Sequence, residues 1–381
     1  MNILIAPDSY KDALSARDAA QAIAQGVQLG LPSAHCHLCP MGDGGEGTLD
    51  ALLAATGAER RQITVHDALG REREATWGWL AEYQTAFIEL AEACGLQHLT
   101  PDERTALHST TYGVGELIIA ALDAGANHLL LTLGGSATND AGAGMLAALG
   151  ASLRDGRGKT LPPGGAALAQ LETLDLSGLD TRLADVTIEA AVDVDNPLLG
   201  QHGASAVFGP QKGATTADVE RLDLALAHFA DLTADQLRHD ERERPGAGAA
   251  GGMGFAASAF LNASLRPGID LVMEQVGFDA LLDRADLVIT GEGQLDGQSL
   301  AGKTPIGIAR RAMSHHVPTV VLAGRLGTGW QAAHAQGVTA AFALADGPMS
   351  LDDALLRCPQ LLAERSESLI RIITAYSSEM P

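Results

Sequence analysis

The chain begins with an apolar run at residues 2–6, stopped by Pro7-Asp8-Ser9, and then changes to a helical period over residues 15–29. The run reads as a short buried strand. The periodic stretch reads as an amphipathic helix, with Ser15 as N-cap and Asp18 three residues on in a capping-box-like arrangement. Residues 34–39 read as a second strand, 42–47 as a glycine-rich loop and 48–55 as a helix. A β-α-β-α opening of this kind predicts a parallel sheet. The far end of the chain repeats the pattern, with strands at 285–290, 319–323 and 340–345. Helices are expected at 305–313, near 330–336, and over 351–375 with a break near Pro359. Neither end alone can form a doubly wound sheet, whereas together they supply about five parallel strands. The fold class predicted is α/β. One discontinuous domain takes residues 1–60 and 283–381, and a second α/β domain, 61–282, is inserted into it.

The middle has a different rhythm. Residues 62–76 and 85–90 pattern as antiparallel strands around a polar turn. Residues 112–124 form a helix, 128–133 a strand that runs into GGSATND, and 187–192 a strand that ends at Asp193. Residues 218–238 are helical, and the charged run 239–244 (HDERER) reads as a solvated helix end or loop. Internal repeats are absent.

Composition narrows the functions open to such a fold. The 381 residues fit two compact domains or one large one. No apolar run approaches the roughly 20 residues that span a bilayer, so no membrane partner is expected. The start lacks a basic stretch before its apolar run, which predicts a cytoplasmic location. Acidic residues outnumber basic ones by 47 to 25, a net charge of −22, and that field repels nucleic acid. The four cysteines are too few and scattered for a disulfide scaffold. Glycine reaches 44 residues and is clustered, and the basic residues divide into 4 Lys against 21 Arg. Three of the four lysines lie in Gly-, Pro- or Ser-bearing motifs: Lys11 in DSYKD, Lys212 in GPQKGA and Lys303 in AGKTP. A compact ammonium kept where arginine is otherwise the rule points to a ligand contact. Lys159, in a polar loop, reads as a surface residue.

Ligands of open α/β sheets bind beyond the carboxyl ends of the strands. Five predicted junctions there combine glycine with polar residues: APDSYK (6–11), MGDGGEGT (41–48), GGSATND (134–140), DVDNP (193–197) and GEGQLD (291–296). Five in one chain argue for a shared active site. The loop 134–140 suits phosphate, because glycines let N–H groups converge on an anion and a following helix adds its positive end. Ser136 and Thr138 add hydroxyls. Thr138, Asn139 and Asp140 also suit helix capping, and the two uses compete for the same amides. Asp8, Asp43, Glu46, Asp193, Glu292 and Asp296 all fall at strand ends, more carboxylates than metal binding and proton transfer need.

Two pattern matches carry less. Residues 246–251 fit G-x-G-x-x-G, but no strand feeds them, so a loop in close contact with a ligand or another backbone is expected. Residues 297–304 fit G-x-x-x-x-G-K-[ST], but six residues separate the strand from the first glycine and Pro305 follows Thr304, which disfavours a P-loop. Lys303 is retained as a phosphate or carboxylate contact. Cys36 and Cys39 lie on opposite faces of a strand and read as buried strand residues rather than metal ligands.

The segments 6–16, 41–48, 111–118, 134–146, 193–200, 203–215, 245–254, 265–272, 285–296 and 302–309 resemble the bacterial class I glycerate kinases, in one order along the whole chain. The resemblance implies ATP-dependent phosphorylation of D-glycerate to 2-phosphoglycerate. It also implies a flavodoxin-like domain from both chain ends, an inserted α/β domain, and an active site in the cleft between them. Ala141 stands where the family often has glycine, and Gln294 where it often has arginine.

On that footing the site residues are assigned as follows. ATP phosphates are expected on Gly134, Gly135, Ser136, Thr138 and Asn139, with Lys212 near the transferring group. Mg²⁺ is expected on Asp43 or Asp193. The acid is expected at Lys11 or Lys303, with Ser9, Glu292 and Gly293 completing its pocket. Asp193, or failing it Asp8, is the expected base. Alternatives are a kinase of a related small hydroxy acid and a non-catalytic small-anion binder. A homodimer is compatible with all three readings.

Overall fold

The computed structural model describes residues 1–377, so the last four residues of the predicted 283–381 segment lie outside it. The strands, in chain order, are β1 (Asn2–Ile5), β2 (His35–Leu38), β3 (Glu59–His66), β4 (Glu72–Leu80), β5 (Thr85–Glu89), β6 (His128–Thr132), β7 (Ser152–Arg154), β8 (Thr173–Asp175), β9 (Thr187–Val192), β10 (Ser264–Pro267), β11 (Leu287–Leu295), β12 (Thr319–Leu326) and β13 (Val338–Ala343). The helices are α1 (Ala16–Gly30), α2 (Thr48–Thr56), α3 (Leu90–Cys94), α4 (Tyr112–Asp123), α5 (Ala143–Ala148), α6 (Ala204–Phe208), α7 (Thr216–Leu237), α8 (Ala249–Leu261), α9 (Gly268–Gln275), α10 (Phe278–Leu282), α11 (Thr304–Ser314) and α12 (Leu351–Ser377). They form two compact units. Among the described residues, one comprises Met1–Asp43, Asp50–Gly57 and the chain from Ile269 onward, the other Gly44–Leu49 and Ala58–Gly268.

The first unit has an all-parallel sheet of order β13-β12-β11-β1-β2. With its strands counted within the unit this is the flavodoxin-like order 2-1-3-4-5. Ser15 caps α1 by accepting the Asp18 amide at 3.1 Å, and its hydroxyl donates to the Asp18 carboxylate at 2.7 Å. Ala19, Ile23 and Val27 of α1 share one core with Leu362 and Ile370 of α12. The helices cross so closely that a Cβ on Gly26 would lie 2.0 Å from the Ala363 carbonyl oxygen, so only glycine fits there.

Three expectations are corrected in this unit. Helix α12 runs unbroken through Pro359. Burial of Cys358, Leu361 and Leu362 on the sheet offsets the roughly 3 kcal/mol cost of an internal proline. Strand β2 is an edge strand, so His35 and His37 are exposed and only Cys39 is fully buried. Strand β11 does not stop at Thr290 but continues through GEGQL, because β12 also runs on and pairs with it as far as Leu326. Glu292 and Gly293 are therefore strand residues, not loop residues.

The second unit has a six-stranded sheet of order β10-β9-β6-β5-β4-β3. Strands β10, β9, β6 and β5 run parallel, while β4 and β3 add an antiparallel edge. Its core gathers Phe229 and Phe255 with Leu129, Leu131 and Ile188. The 246–251 loop makes the close backbone approach expected of it: a Cβ on Gly251 would lie 2.0 Å from the Thr138 carbonyl oxygen. The run 239–244 is tied down by ion pairs, Arg242 to Asp231 and Asp240 and Arg244 to Glu241.

Candidate active site

In the second unit, parallel strands β5, β6 and β9 end side by side at Glu89, Thr132 and Val192. The chain leaves β6 through Gly134 and Gly135, the latter in the left-handed region at φ 73°. Ser136 is buried, and its hydroxyl accepts a hydrogen bond from the Lys212 ammonium at 2.8 Å. The same ammonium donates to the Thr138 carbonyl at 2.7 Å. Lys212 ends a short 3₁₀ turn, Pro210–Lys212, which is followed by Gly213 at φ 90°. A Cβ on Gly213 would meet the Arg104 carbonyl oxygen at 2.3 Å, so the local sequence GPQKG is what places the lysine. Lys212 is only 2 % exposed, and burial pushes its pKa down to about 8, with Cys94 and Asp140 pulling the other way. Gly134, Gly135, Ser136, Asp193, Lys212 and Ala250 are among the residues that line a cavity of about 130 Å³.

Thr138 and Asn139, both expected on phosphate, are fully buried and do not line this cavity. Asn139 donates to the Ser205 hydroxyl at 2.9 Å, and Thr138 serves Lys212 through its carbonyl. The helix expected behind the loop is the six-residue α5. Asp140 already accepts hydrogen bonds from the Gly142 and Gly144 amides and from the Thr111 amide and hydroxyl. The 134–136 loop and Lys212 line the cavity, whereas the amides at the start of α5 are already engaged by Asp140.

The segment Gly44–Leu49 lies against this loop. The Gly134 N–H donates to the Gly44 carbonyl at 3.0 Å. A Cβ on Gly134 would lie 2.5 Å from the Gly45 Cα, and one on Gly44 would lie 3.4 Å from the Asp193 Oδ1. The buried Glu89 carboxylate accepts the Gly47 N–H at 3.1 Å and the Leu49 N–H at 2.8 Å. Glu89 was not singled out from the sequence. The available signal was a lone carboxylate closing the apolar strand TAFIE.

The first unit holds a carboxylate cluster at the ends of β1 and β11. The Asp8 carboxylate accepts the Ser9 N–H at 2.6 Å and the Thr304 hydroxyl at 2.5 Å. Burial and the nearby Asp43 charge raise its pKa to about 7. Glu292 is also raised to about 7, first by burial and then by Asp8 and Asp43, against the opposing Ser299 hydroxyl and Lys303. Its Oε1 is buried and finds no hydrogen-bond partner among the described residues. Lys11 and Lys303 are exposed; the Lys303 charge bears on Glu292, and a Cβ on Gly293 would lie 3.7 Å from the Lys11 backbone nitrogen. Lys303 precedes α11 while Thr304 is engaged by Asp8, which is not the arrangement of a P-loop.

The glycerate kinase family model matches residues 3–374. The chain belongs to the glycerate kinase family. It is 48 % identical to the glycerate kinase of Bacillus subtilis (strain 168), over 98 % of this chain and 97 % of that one. It is 46 % identical to the glycerate 2-kinase of Escherichia coli (strain K12), over 93 % of each. A crystal structure of a protein designated glycerate kinase 2 from Salmonella typhimurium LT2 superposes with a TM-score of 0.88 at 44 % identity, covering 100 % of both chains. Among the described residues no helix is long and apolar enough to cross a membrane.

Proposed function

We propose that this glycerate kinase transfers the γ-phosphoryl group of ATP to the C2 hydroxyl of D-glycerate, giving 2-phosphoglycerate and ADP. The observation that carries the donor half is the Lys212 ammonium, buried beneath the 134–136 backbone and held by the Ser136 hydroxyl and the Thr138 carbonyl. A chain with a net charge of −22 needs such a fixed cation to hold a polyphosphate. The acceptor half rests on Asp8. The hydroxyl oxygen attacks the γ-phosphorus, the bond to the β-phosphate oxygen breaks, and the hydroxyl proton passes to the Asp8 carboxylate. A carboxylate lifted to about 7 and anchored by Ser9 and Thr304 is suited to that transfer at neutral pH. Lys11 and Lys303 meet the acid's carboxylate, and the unpartnered Glu292 Oε1 accepts a hydrogen bond from its other hydroxyl.

The fold family implies Mg²⁺. Asp193 lies at the cavity beside the 134–136 loop, and among the described residues no three His, Cys, Asp or Glu side chains form a cage. That donor set fits an ion that takes one or two carboxylates and fills its shell with water and phosphate. Asp193 would hold it, and bound there it would neutralise phosphate charge. Asp43, whose charge bears on Asp8 and Glu292, is a supporting carboxylate in this scheme.

Incubation with ATP, Mg²⁺ and D-glycerate, read by phosphorus NMR, tests the proposal. A phosphomonoester coupled to one methine proton is the expected product. Coupling to two methylene protons would replace C2 by C3, and no ADP formation would overturn the reading.

A further inference from the structure

GDGGEGT at residues 42–48 is a second glycine-rich strand-end loop, and it leads into helix α2. The structure shows the Gly44, Gly47, Thr48 and Leu49 amides already occupied. Glu89, 2 % exposed, accepts the Gly47 and Leu49 N–H groups. The Thr48 N–H goes to the Gly45 carbonyl, and the buried Thr48 hydroxyl accepts the Gly44 N–H at 3.1 Å. A carboxylate of the protein's own thus stands where an external anion would bind. What the segment offers outward is its Gly44 carbonyl, which receives the Gly134 N–H at 3.0 Å.

We propose that Glu89 is a positioning residue for the phosphoryl donor: it clamps the Gly44–Leu49 segment, and the clamped segment sets the direction and spacing of the 134–136 amides. The register supports this. Glu89 is the last residue of β5 and is paired with Thr132 of β6, two residues before Gly134. The two anchors of the clamped segment are therefore the end of β5 and an amide two residues beyond the end of its neighbour β6. The glycines leave no slack, because a Cβ on Gly134 would overlap the Gly45 Cα at 2.5 Å. Loss of the clamp would free Gly44 to shift, leave the Gly134 N–H without its acceptor, and misdirect the neighbouring amides. A displacement of about 1 Å in such a site is enough for a 100-fold loss of rate.

The inference rests on the reading of residues 134–136 as the phosphate loop, and the experiment separates the two. Glu89→Gln keeps the shape but turns one acceptor into a donor facing a backbone N–H. Thr48→Val removes a tether of the same segment without touching a buried charge. Each variant is expected to raise the KM for ATP about tenfold while the KM for glycerate stays within twofold. Lys212→Met is measured alongside. If Lys212→Met lowers kcat/KM for ATP and the two clamp variants leave the KM for ATP unchanged, the role of Glu89 is refuted and the phosphate loop stands. If Lys212→Met has no effect, the loop reading fails and takes the clamp with it. A fall in kcat alone, in proportion to lost folded protein with both KM values unchanged, would mark Glu89 as merely structural. Should Glu89→Gln fail to fold, Thr48→Val decides.

Discussion

Replacing Asp8 by asparagine should stabilise the protein at pH 8 while nearly abolishing activity. The Asp8 carboxyl is raised from 3.8 to about 7 by burial and by Asp43. Ionising it therefore favours the unfolded chain, and wild-type stability falls as pH rises from about 4 through about 7. A shift of roughly three units corresponds to about 4 kcal/mol at most. Partial exposure of the residue and the coupling to Asp43 reduce the recoverable part to about 2 kcal/mol. Asparagine is nearly isosteric, and the Thr304 hydroxyl can rotate to accept from its amide. About 2 kcal/mol corresponds to a rise in Tm of roughly 4–8 °C in a unit of this size. At pH 5 most of the wild-type penalty has disappeared, so the gain there should be less than half as large. Turnover should fall by about 100-fold or more with loss of the base. Calorimetry at pH 5 and pH 8, paired with an ADP-release assay, reads both effects. A variant that melts at or below wild type at both pH values, or that retains full turnover, refutes the reasoning.

The pH profile of kcat/KM should rise through an apparent pKa near 7, as the Asp8 and Glu292 pair ionises, and fall above about 8, as Lys212 loses its proton. Saturating ATP should move the alkaline limb upward, since phosphate favours the ammonium form; a flat profile from pH 6 to 9 contradicts this. Gly134→Ala should cost about 100-fold in kcat/KM at unchanged far-ultraviolet circular dichroism, because its Cβ would sit 2.5 Å from the Gly45 Cα. Lys11→Ala should raise the KM for glycerate about tenfold, roughly 1.4 kcal/mol, with the KM for ATP unchanged. A shift in the ATP value instead would place Lys11 on the donor.

Most parallel strands of the first unit were legible because they begin as short apolar runs followed by Pro, Gly or Asp, and because Ser15 with Asp18 marks the first helix start. The lysine scarcity pointed to Lys212, but not to its depth, since burial of an ammonium depends on Ser136 and the Thr138 carbonyl arriving from a distant segment. Thr138 and Asn139 were legible as polar residues after a strand, yet alternation cannot show that both turn inward in so tight a loop. The end of β11 was misplaced because glycine ordinarily weakens strands; here it permits close approach, with a Cβ on Gly291 lying 2.1 Å from the Leu322 carbonyl oxygen. Pro359 misled in the same way, as tertiary burial outweighed local preference. Glu89 was missed because a carboxylate within an apolar strand has meaning only once its two amide partners are known.

The interleaved sheet has a consequence for how the polypeptide matures. Strands β1 and β2 leave the ribosome before the rest of their sheet, and the second neighbour of β1, β11, is made only after the contiguous Ala58–Gly268 stretch. At ordinary synthesis rates the wait is on the order of tens of seconds. During that interval the inserted unit can close its own sheet, while Ile3, Leu4 and Ile5 have no permanent neighbour on one side. The N-terminal segment should therefore depend on chaperone shelter in the nascent chain, and a nonsense mutation anywhere before β11 should strand it beyond rescue.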